Sequence, residues 1–275
     1  MSFYTVNPSC VRCGLCERIC PAHIIEEDAG RLPFVREEKS AFCIRCGQCV
    51  AFCPQQCNSL AFQEDALPAV DRALFPSPES AETLLRTRRS VRLFKKDPVP
   101  RETLLRLFET LRYAPTAQNR QAVRWVVLET QEKVSALERQ VVEFFRAIST
   151  TPPQGMSPAR VSALRSVVKR FDSGNPIIFR NAPQLAIAVV PVEDGFTQED
   201  GVIALTYLEL AAHALGIGCC WGGFFTRAAR ASGELCRSLG LRDDELVAGA
   251  QMLGYPTHGV SKRLPPRKKP EIAWL

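Results

Sequence analysis

Apolar positions along the chain follow two periods. At 101–113 they fall at Leu104, Leu105, Leu107, Phe108 and Leu111, with Pro100, Arg101 and Glu102 at the start, the spacing and entry of an amphipathic helix. The same period predicts helices over 132–148 and 159–171. Trp125-Val126-Val127-Leu128 and the run 185–192 are short, β-prone and uninterrupted, which predicts strands. The segment 202–215 is apolar on almost every face, so it predicts a helix buried in its own domain or against a second subunit. Segment 150–158, rich in Thr, Pro and Gly, reads as the longest loop, tethering two helices or covering a ligand. Strands separated by helices indicate a layered α/β or α+β architecture.

The pattern changes between the ends of the chain. Leu67-Pro68, Phe75-Pro76 and Ser77-Pro78 predict an extended connector in which proline stops any helix. The expected organisation is a small domain over 1–62, a linker over 63–80 and a larger domain over 81–275. Charge supports the division: residues 1–75 carry 7 Lys/Arg against 9 Asp/Glu, and the remainder carry 28 against 20. With 46% apolar and 23% charged residues, the 275-residue chain is not composed for wholesale disorder. The longest apolar run, Leu185 through Val190, has six residues, far short of the ~18 to 20 that span a membrane. The start, Met1-Ser2-Phe3-Tyr4-Thr5-Val6-Asn7-Pro8, lacks the charged and apolar regions of a signal peptide. Twelve cysteines without such a signal predict a reducing, cytoplasmic setting in which thiols hold metal.

Eight of those cysteines form two copies of one motif. Cys10, Cys13, Cys16 and Cys20-Pro21 are repeated, 33 residues on, as Cys43, Cys46, Cys49 and Cys53-Pro54, and Arg12/Arg45 and Gly14/Gly47 repeat with them. This is the Cys-x2-Cys-x2-Cys-x3-Cys-Pro run of bacterial iron–sulfur proteins. Three thiolates at steps of three can wrap one face of a cube, and the glycines allow close backbone approach. The fourth cysteine, carried past the turn, reaches the other cube. The expected ligand sets are therefore Cys10, Cys13, Cys16 and Cys53 for one [4Fe–4S] cluster, and Cys43, Cys46, Cys49 and Cys20 for a second. Zinc draws its ligands in pairs and would not need two triplets with two outliers. Over about 3–62 the segment resembles the bacterial two-cluster ferredoxin domain. A chain this short buries little apolar surface, so the clusters are expected to supply much of its stability. Cys57 reads as a packed thiol, and Arg12 and Arg45 as surface residues.

Three segments of the larger domain carry candidate chemistry. Arg88-Arg89-Ser90-Val91-Arg92 places three guanidiniums and a hydroxyl within five residues, donors suited to a phosphate. Ala114-Pro115-Thr116-Ala117-Gln118-Asn119-Arg120-Gln121 offers small and amide side chains before the Trp125 strand. Leu215-Gly216-Ile217-Gly218-Cys219-Cys220-Trp221-Gly222-Gly223 follows the buried helix, with glycines that let amides approach a flat ligand. In this order, and with the basic tail 261–269, they resemble the FMN-dependent nitroreductase family over about 81–275. The usual Gln-Pro-Trp run of that family appears here as Gln121-Ala122-Val123-Arg124-Trp125.

The resemblance implies an α+β chain: a small ferredoxin-like two-cluster domain, then a three-layer α/β/α domain with a mixed, mostly antiparallel sheet. It implies a homodimer with FMN at the subunit interface. Arg88, Arg89 and Ser90 would hold the phosphate and ribityl chain, and Arg92 the N1–C2=O edge. Pro115, Thr116 and Asn119 would come from the partner subunit, the amides of Gly222 and Gly223 would face N5, and Arg263 and Arg267 would return to the phosphate. The segment 271–274 reads as a short strand for the other subunit's sheet. Packing is the expected role of His213, Cys219 and Cys220, and His23 and His258 read as surface residues. No catalytic triad or paired carboxylate stands out, and the basic residues gather at the phosphate candidates, so no nucleic-acid partner is expected.

The function expected is an oxidoreductase. Two [4Fe–4S] clusters pass electrons to FMN and on to a small electrophilic organic acceptor, such as a nitroaromatic or quinone. The donor is an external low-potential carrier or NAD(P)H, although no Gly-x-Gly-x-x-Gly nucleotide loop is present. The alternative is an electron-carrier module serving a protein partner, or a flavin fold that has lost FMN.

Overall fold

A computed structural model describes residues 3–63, 68–192 and 195–275. Leu67 of the expected connector, and Met1 and Ser2 at the start, lie outside the described residues. Contacts divide the chain into two units, Met1–Phe75 with Gln118–Arg120, and Pro76–Ala117 with Gln121–Leu275.

In the first unit the sequence duplication is also a backbone duplication. Arg12 and Arg45 both have φ 53°, Gly14 and Gly47 both φ 69°, and His23 and Gln56 φ 50° and 52°. Each glycine precedes a short helix, α1 (Leu15–Ile19) after Gly14 and α2 (Gln48–Ala51) after Gly47. Around them lie β1 (Tyr4–Val6), β2 (Ile25–Glu26), β3 (Phe34–Val35) and β4 (Asn58–Leu60). β1 pairs antiparallel with β4, Tyr4 opposite Leu60, and β2 with β3, Ile25 opposite Val35. The apolar core is small: Tyr4, Ile24, Ile25 and Leu60 are its buried members.

The second unit opens with α3 (Pro78–Thr87). Ser77-Pro78, expected to be connector, starts this helix instead. Ser77 Oγ accepts from Ser80 N at 3.2 Å, and proline at the first helical position has no amide to waste. α4 (Arg101–Leu111), β5 (Arg124–Leu128), α5 (Gln131–Thr150), α6 (Pro158–Asp172), β6 (Gln184–Pro191), α7 (Thr197–Ala214), β7 (Gly218–Trp221), α8 (Gly223–Ala229), α9 (Gly233–Ser238) and β8 (Glu245–Gly254) follow.

The four strands form one sheet in the order β5-β6-β8-β7, every pairing antiparallel. The only parallel feature among the described residues is the isolated bridge Ser90–Cys219. Side chains alternate between two cores. Ile187, Val189, Ala250 and Met252 face α5, α6 and α8, while Ala186, Ala188, Ala248 and Leu253 face α4 and α7. The result is three layers.

α7 presses closely on β8: a Cβ added at Gly201 would collide with the Ala248 Cβ. The helix is less enclosed than its composition suggests, because Val202 and Tyr207 are 41% and 39% exposed. Segment 271–274 is not a strand within this chain; it finds no neighbour to pair with, and Ile272 and Trp274 are exposed. No helix among the described residues is long and apolar enough to cross a membrane.

Candidate functional site

The first unit's cavity is lined by Cys20, Cys43, Cys46 and Cys49, the set expected for one cluster, with Tyr4 and Ile24 among its apolar walls. Burial pushes the Cys49 thiol up to about 11, and the nearby Cys46, Cys20 and Cys43 add to the effect. A positively charged core among these four side chains would favour their thiolate forms. Thiols spread around a cavity suit a multi-atom cube.

Of the other set, Cys53 and Cys10 both lie near enough to Cys57 to influence its thiol. Burial raises the Cys53 thiol, but the amides of Cys57 and Gln55 outweigh it and hold the group below its ordinary value. Cys57 N donates to Cys53 Sγ at 3.4 Å, and Arg12 N to Cys10 Sγ at 3.4 Å. Such amides stabilise thiolate ligands. Cys57 itself is buried, with its sulfur 3.9 Å from Cys53 Sγ. Arg12 and Arg45 are exposed; the former donates to Gly30 O and the latter lies 5.2 Å from the Phe62 ring centre.

In the second unit, a cavity of about 630 Å³ lies between the end of α3, the end of α7 and the segment 256–261. Arg88, Arg89, Glu209 and His213 line it. Arg88 Nη1 meets Glu209 Oε1 at 2.5 Å, and His213 Nε2 lies 2.9 Å from Thr87 Oγ1. Arg89 uses its terminal nitrogens on the carbonyls of Arg88 and Arg86, but its Nε is buried without a partner. Burial, then Arg267 and Arg88 close by, lower the Arg89 guanidinium's affinity for its proton. Three guanidiniums share this corner, and Glu209 answers only one of them. A dianionic phosphate fits that excess charge and the orphaned donor.

His213 does not take the core position expected of it. It is half-buried at the cavity wall, and burial, Arg88 and Arg89 favour its neutral form. The bridge to Cys219 places Ser90 beside the same corner. Arg263 is exposed, with no recorded contact to the cavity.

A second cavity, about 600 Å³, lies at the end of β7. Arg92, Arg180, Trp221, Gly223, Phe224 and Arg227 line it. The Gly222 amide, expected to be open to a ligand, is committed to Ala250 O at 2.8 Å, because it continues the β7–β8 ladder. This leaves Gly223, which lines the cavity and whose amide is at the first position of α8, where a helix has no internal acceptor. Ile178, on the wall, is fixed from behind: Glu138 Oε1 accepts from the amides of Ile178 and Phe179 at 3.1 Å each. Cys219 and Cys220 are packed thiols, both pushed up by burial.

Ala114, Thr116 and Gln121 of the 114–121 loop line a separate cavity with Phe108 and Trp125. Pro115 is exposed, Thr116 Oγ1 accepts from Gln121 N at 3.0 Å, and Asn119 Nδ2 donates to Ile44 O at 3.1 Å. Gln118, Asn119 and Gln121 all have positive φ, and the buried Asp200 accepts from Ala117 N at 2.9 Å. Sequence reasoning passed over Glu209, Arg180, Arg227, Glu138 and Asp200. Glu209 and His213, four apart on one helix, were the available signal for the first cavity. The others meet their partners only through the fold.

Family comparisons agree with this architecture. A model described as the nitroreductase family matches residues 85–255, and one described as a 4Fe-4S dicluster domain matches 9–58. YfhC of Bacillus subtilis (strain 168) is 26% identical over 188 residues, which cover 68% of this chain and 90% of YfhC. The nitroreductase NfnB of Mycolicibacterium smegmatis is 29% identical over 175 residues, 56% of this chain and 72% of NfnB. Among solved structures, a nitroreductase with bound FMN from Bacteroides fragilis aligns with TM-score 0.58 at 23% identity, over 70% of this chain and 97% of that one. Another with bound FMN, from Desulfitobacterium hafniense, aligns with TM-score 0.56 at 22% identity and the same coverage. At these identities the alignments establish the fold.

Proposed function

This chain belongs to the nitroreductase family, and from that premise we propose an FMN-dependent oxidoreductase fed by two [4Fe–4S] clusters that reduces an electrophilic organic acceptor. The observation that carries the reading is the meeting of Arg88, Arg89 and Arg267 around a buried, unpartnered Arg89 Nε. These residues would hold the FMN phosphate, with Glu209 fixing Arg88 in place. Arg92 and the Gly223 amide, together at the second cavity, would take the ring's polar edge and N5. Once bound, FMN accepts electrons singly and releases them in pairs.

The rest falls to the chain. Trp221 and Phe224 give the second cavity aromatic walls against which a flat acceptor can lie. Such walls favour turnover of a small molecule over service as an electron carrier. Residues 1–62 would carry the clusters, on Cys10, Cys13, Cys16 and Cys53 and on Cys43, Cys46, Cys49 and Cys20, and the second unit, which opens with α3, would be the FMN-binding domain. A homodimer would bring Pro115, Thr116 and Asn119 to the partner's flavin. A cytoplasmic setting would keep the thiols reduced, with a low-potential carrier or NAD(P)H as donor.

Anaerobic purification tests the reading. The expected product is a yellow-brown protein with FMN and about eight irons per chain that reduces nitroaromatics or quinones. Iron without flavin would reject it, and reduction without small-molecule turnover would support the carrier. Arg267→Ala removes an exposed cation without stranding Glu209. It should weaken FMN retention about tenfold, ~1.4 kcal/mol, with iron content unchanged; unaltered FMN affinity would remove the phosphate assignment.

A further inference from the structure

We propose that the acceptor is an anionic aromatic compound, its carboxylate or equivalent oxyanion held by Arg180 and Arg227 at the second cavity. The inference rests on the FMN reading of that cavity and names the class of substrate it takes. Its starting point is a charge imbalance. Three guanidiniums line the cavity, Arg92, Arg180 and Arg227, and among the described residues no carboxylate does. None of the three has an ion-pair partner among the described residues. Elsewhere on the same unit Arg86 meets Glu82, Arg101 meets Glu129, Arg112 meets Glu109 and Arg146 meets Asp172. The phosphate of FMN has its own cations in the first cavity, and Arg92 is assigned to the ring. Arg180 and Arg227 remain, unclaimed by either part of the cofactor.

The fold fixes the backbone from which each one extends. Arg227 lies four residues after Gly223 on α8, one turn along the same face. Arg180 has φ 55° and Asn181 φ 54°, left-handed conformations that side chains avoid unless the surroundings impose them. Here they are imposed: Phe179 is fully buried, its ring 5.9 Å from Phe225, and its amide is bound to Glu138. A strained residue pinned by its neighbours and presenting a free guanidinium to a cavity has the form of a ligand clamp. Arg180 is near enough to Cys220, on the cavity floor, to influence its thiol.

The walls specify the rest of the ligand. Ile178, Trp221 and Phe224 are suited to a flat ring, and two guanidinium forks to a planar oxyanion. For a nitro acceptor, the first reduction breaks one N–O bond. The nitro compound takes two electrons and two protons from the reduced cofactor, giving the nitroso product and water. The carboxylate takes no part in this step; it orients the ring.

The test uses the holoenzyme, reduced anaerobically with dithionite, and two acceptors of similar shape, 4-nitrobenzoate and nitrobenzene. Wild type should favour 4-nitrobenzoate by at least tenfold in kcat/KM. The preference should fall at least tenfold in Arg227→Gln and in Arg180→Asn, the latter chosen because asparagine tolerates positive φ. The loss should appear in KM, and FMN-to-protein ratios should match wild type. Calorimetry with benzoate, which is not reduced, should show binding to wild type weakened at least tenfold in each variant. Equal preference in wild type, equal losses for both acceptors, or loss of FMN from the variants would overturn the proposal. If Arg180→Asn fails to fold, Arg227→Gln decides alone. Wild type purified without FMN would reject the flavin reading instead, and benzoate calorimetry on that protein would still decide the role of the arginines.

Discussion

Glu245 opens β8 with a side chain that is 2% exposed, and two guanidiniums reach it. Arg124, at the start of β5, donates from Nε at 2.8 Å and Nη2 at 2.6 Å, crossing β6 to do so. These bonds, against the opposing effect of burial, lower the carboxyl to about 2. A carboxyl lowered on folding stabilises the protein above its unfolded value, and that contribution disappears as the pH falls from about 4.5 towards 2. Arg124→Ala should cost about 2 kcal/mol at pH 7, less than a fully buried pair because Arg124 is 40% exposed and Arg242 remains. It should also flatten the fall of stability between pH 4.5 and 3, measured by urea unfolding; an unchanged slope would show that Arg124 is not the cause. Sequence reasoning recorded Arg124 only as a departure from a family pattern. Its partner lies 121 residues away, and nothing local announces such a pair. The arginines proposed for the phosphate stood out for the opposite reason, since Arg88 and Arg89 are adjacent in the chain and dense in charge.

At the scale of elements, periodicity served well where segments are long. The helix expected over 101–113 is α4, Arg101–Leu111, and the strand expected over 185–192 is β6, Gln184–Pro191. The helix expected over 202–215 begins earlier, at Thr197. Its first turn, Thr197-Gln198-Glu199-Asp200, is polar in sequence, yet Asp200 is buried because it accepts the Ala117 amide. Short elements such as α8 and α9 escaped, having too few residues to display a period. The contact between α7 and β8 offers a direct test of packing. Gly201 faces Ala248 so closely that Gly201→Ala cannot be accommodated without moving helix from sheet. Overpacking of this kind should cost about 3 kcal/mol, more than the gain in helix propensity from alanine. Adding Ala248→Gly should restore most of the loss, so a double-mutant cycle by thermal unfolding should give a coupling above ~1 kcal/mol. Additive effects would place the strain elsewhere.

For the molecule as a whole, the two units differ in what can hold them together. The second has an apolar core on each face of its sheet, with Phe179, Phe225, Leu205 and Leu208 fully buried. The first buries Tyr4, Ile24, Ile25 and Leu60, and the partly buried side chains packed on them include four of the thiols expected to bind iron, Cys16, Cys20, Cys43 and Cys49. So small a core falls short of the conformational entropy of some sixty ordered residues at about 1–2 kcal/mol each. The cysteine spacing raised the expectation of such a dependence from the sequence alone, because three thiols of each expected set recur at short steps, whereas the second cavity needed α8, β7 and the 177–180 turn to meet. Oxidative removal of iron in the presence of chelator should therefore unfold the first unit and spare the second. After such treatment trypsin should cut rapidly among Arg12, Arg18, Arg31, Arg36 and Lys39, while a fragment beginning beyond Arg72 survives with its own cooperative thermal transition. Protection of the first unit after complete iron loss would mean that its few apolar contacts suffice. Simultaneous collapse of both units would mean that the second relies on the first for its stability.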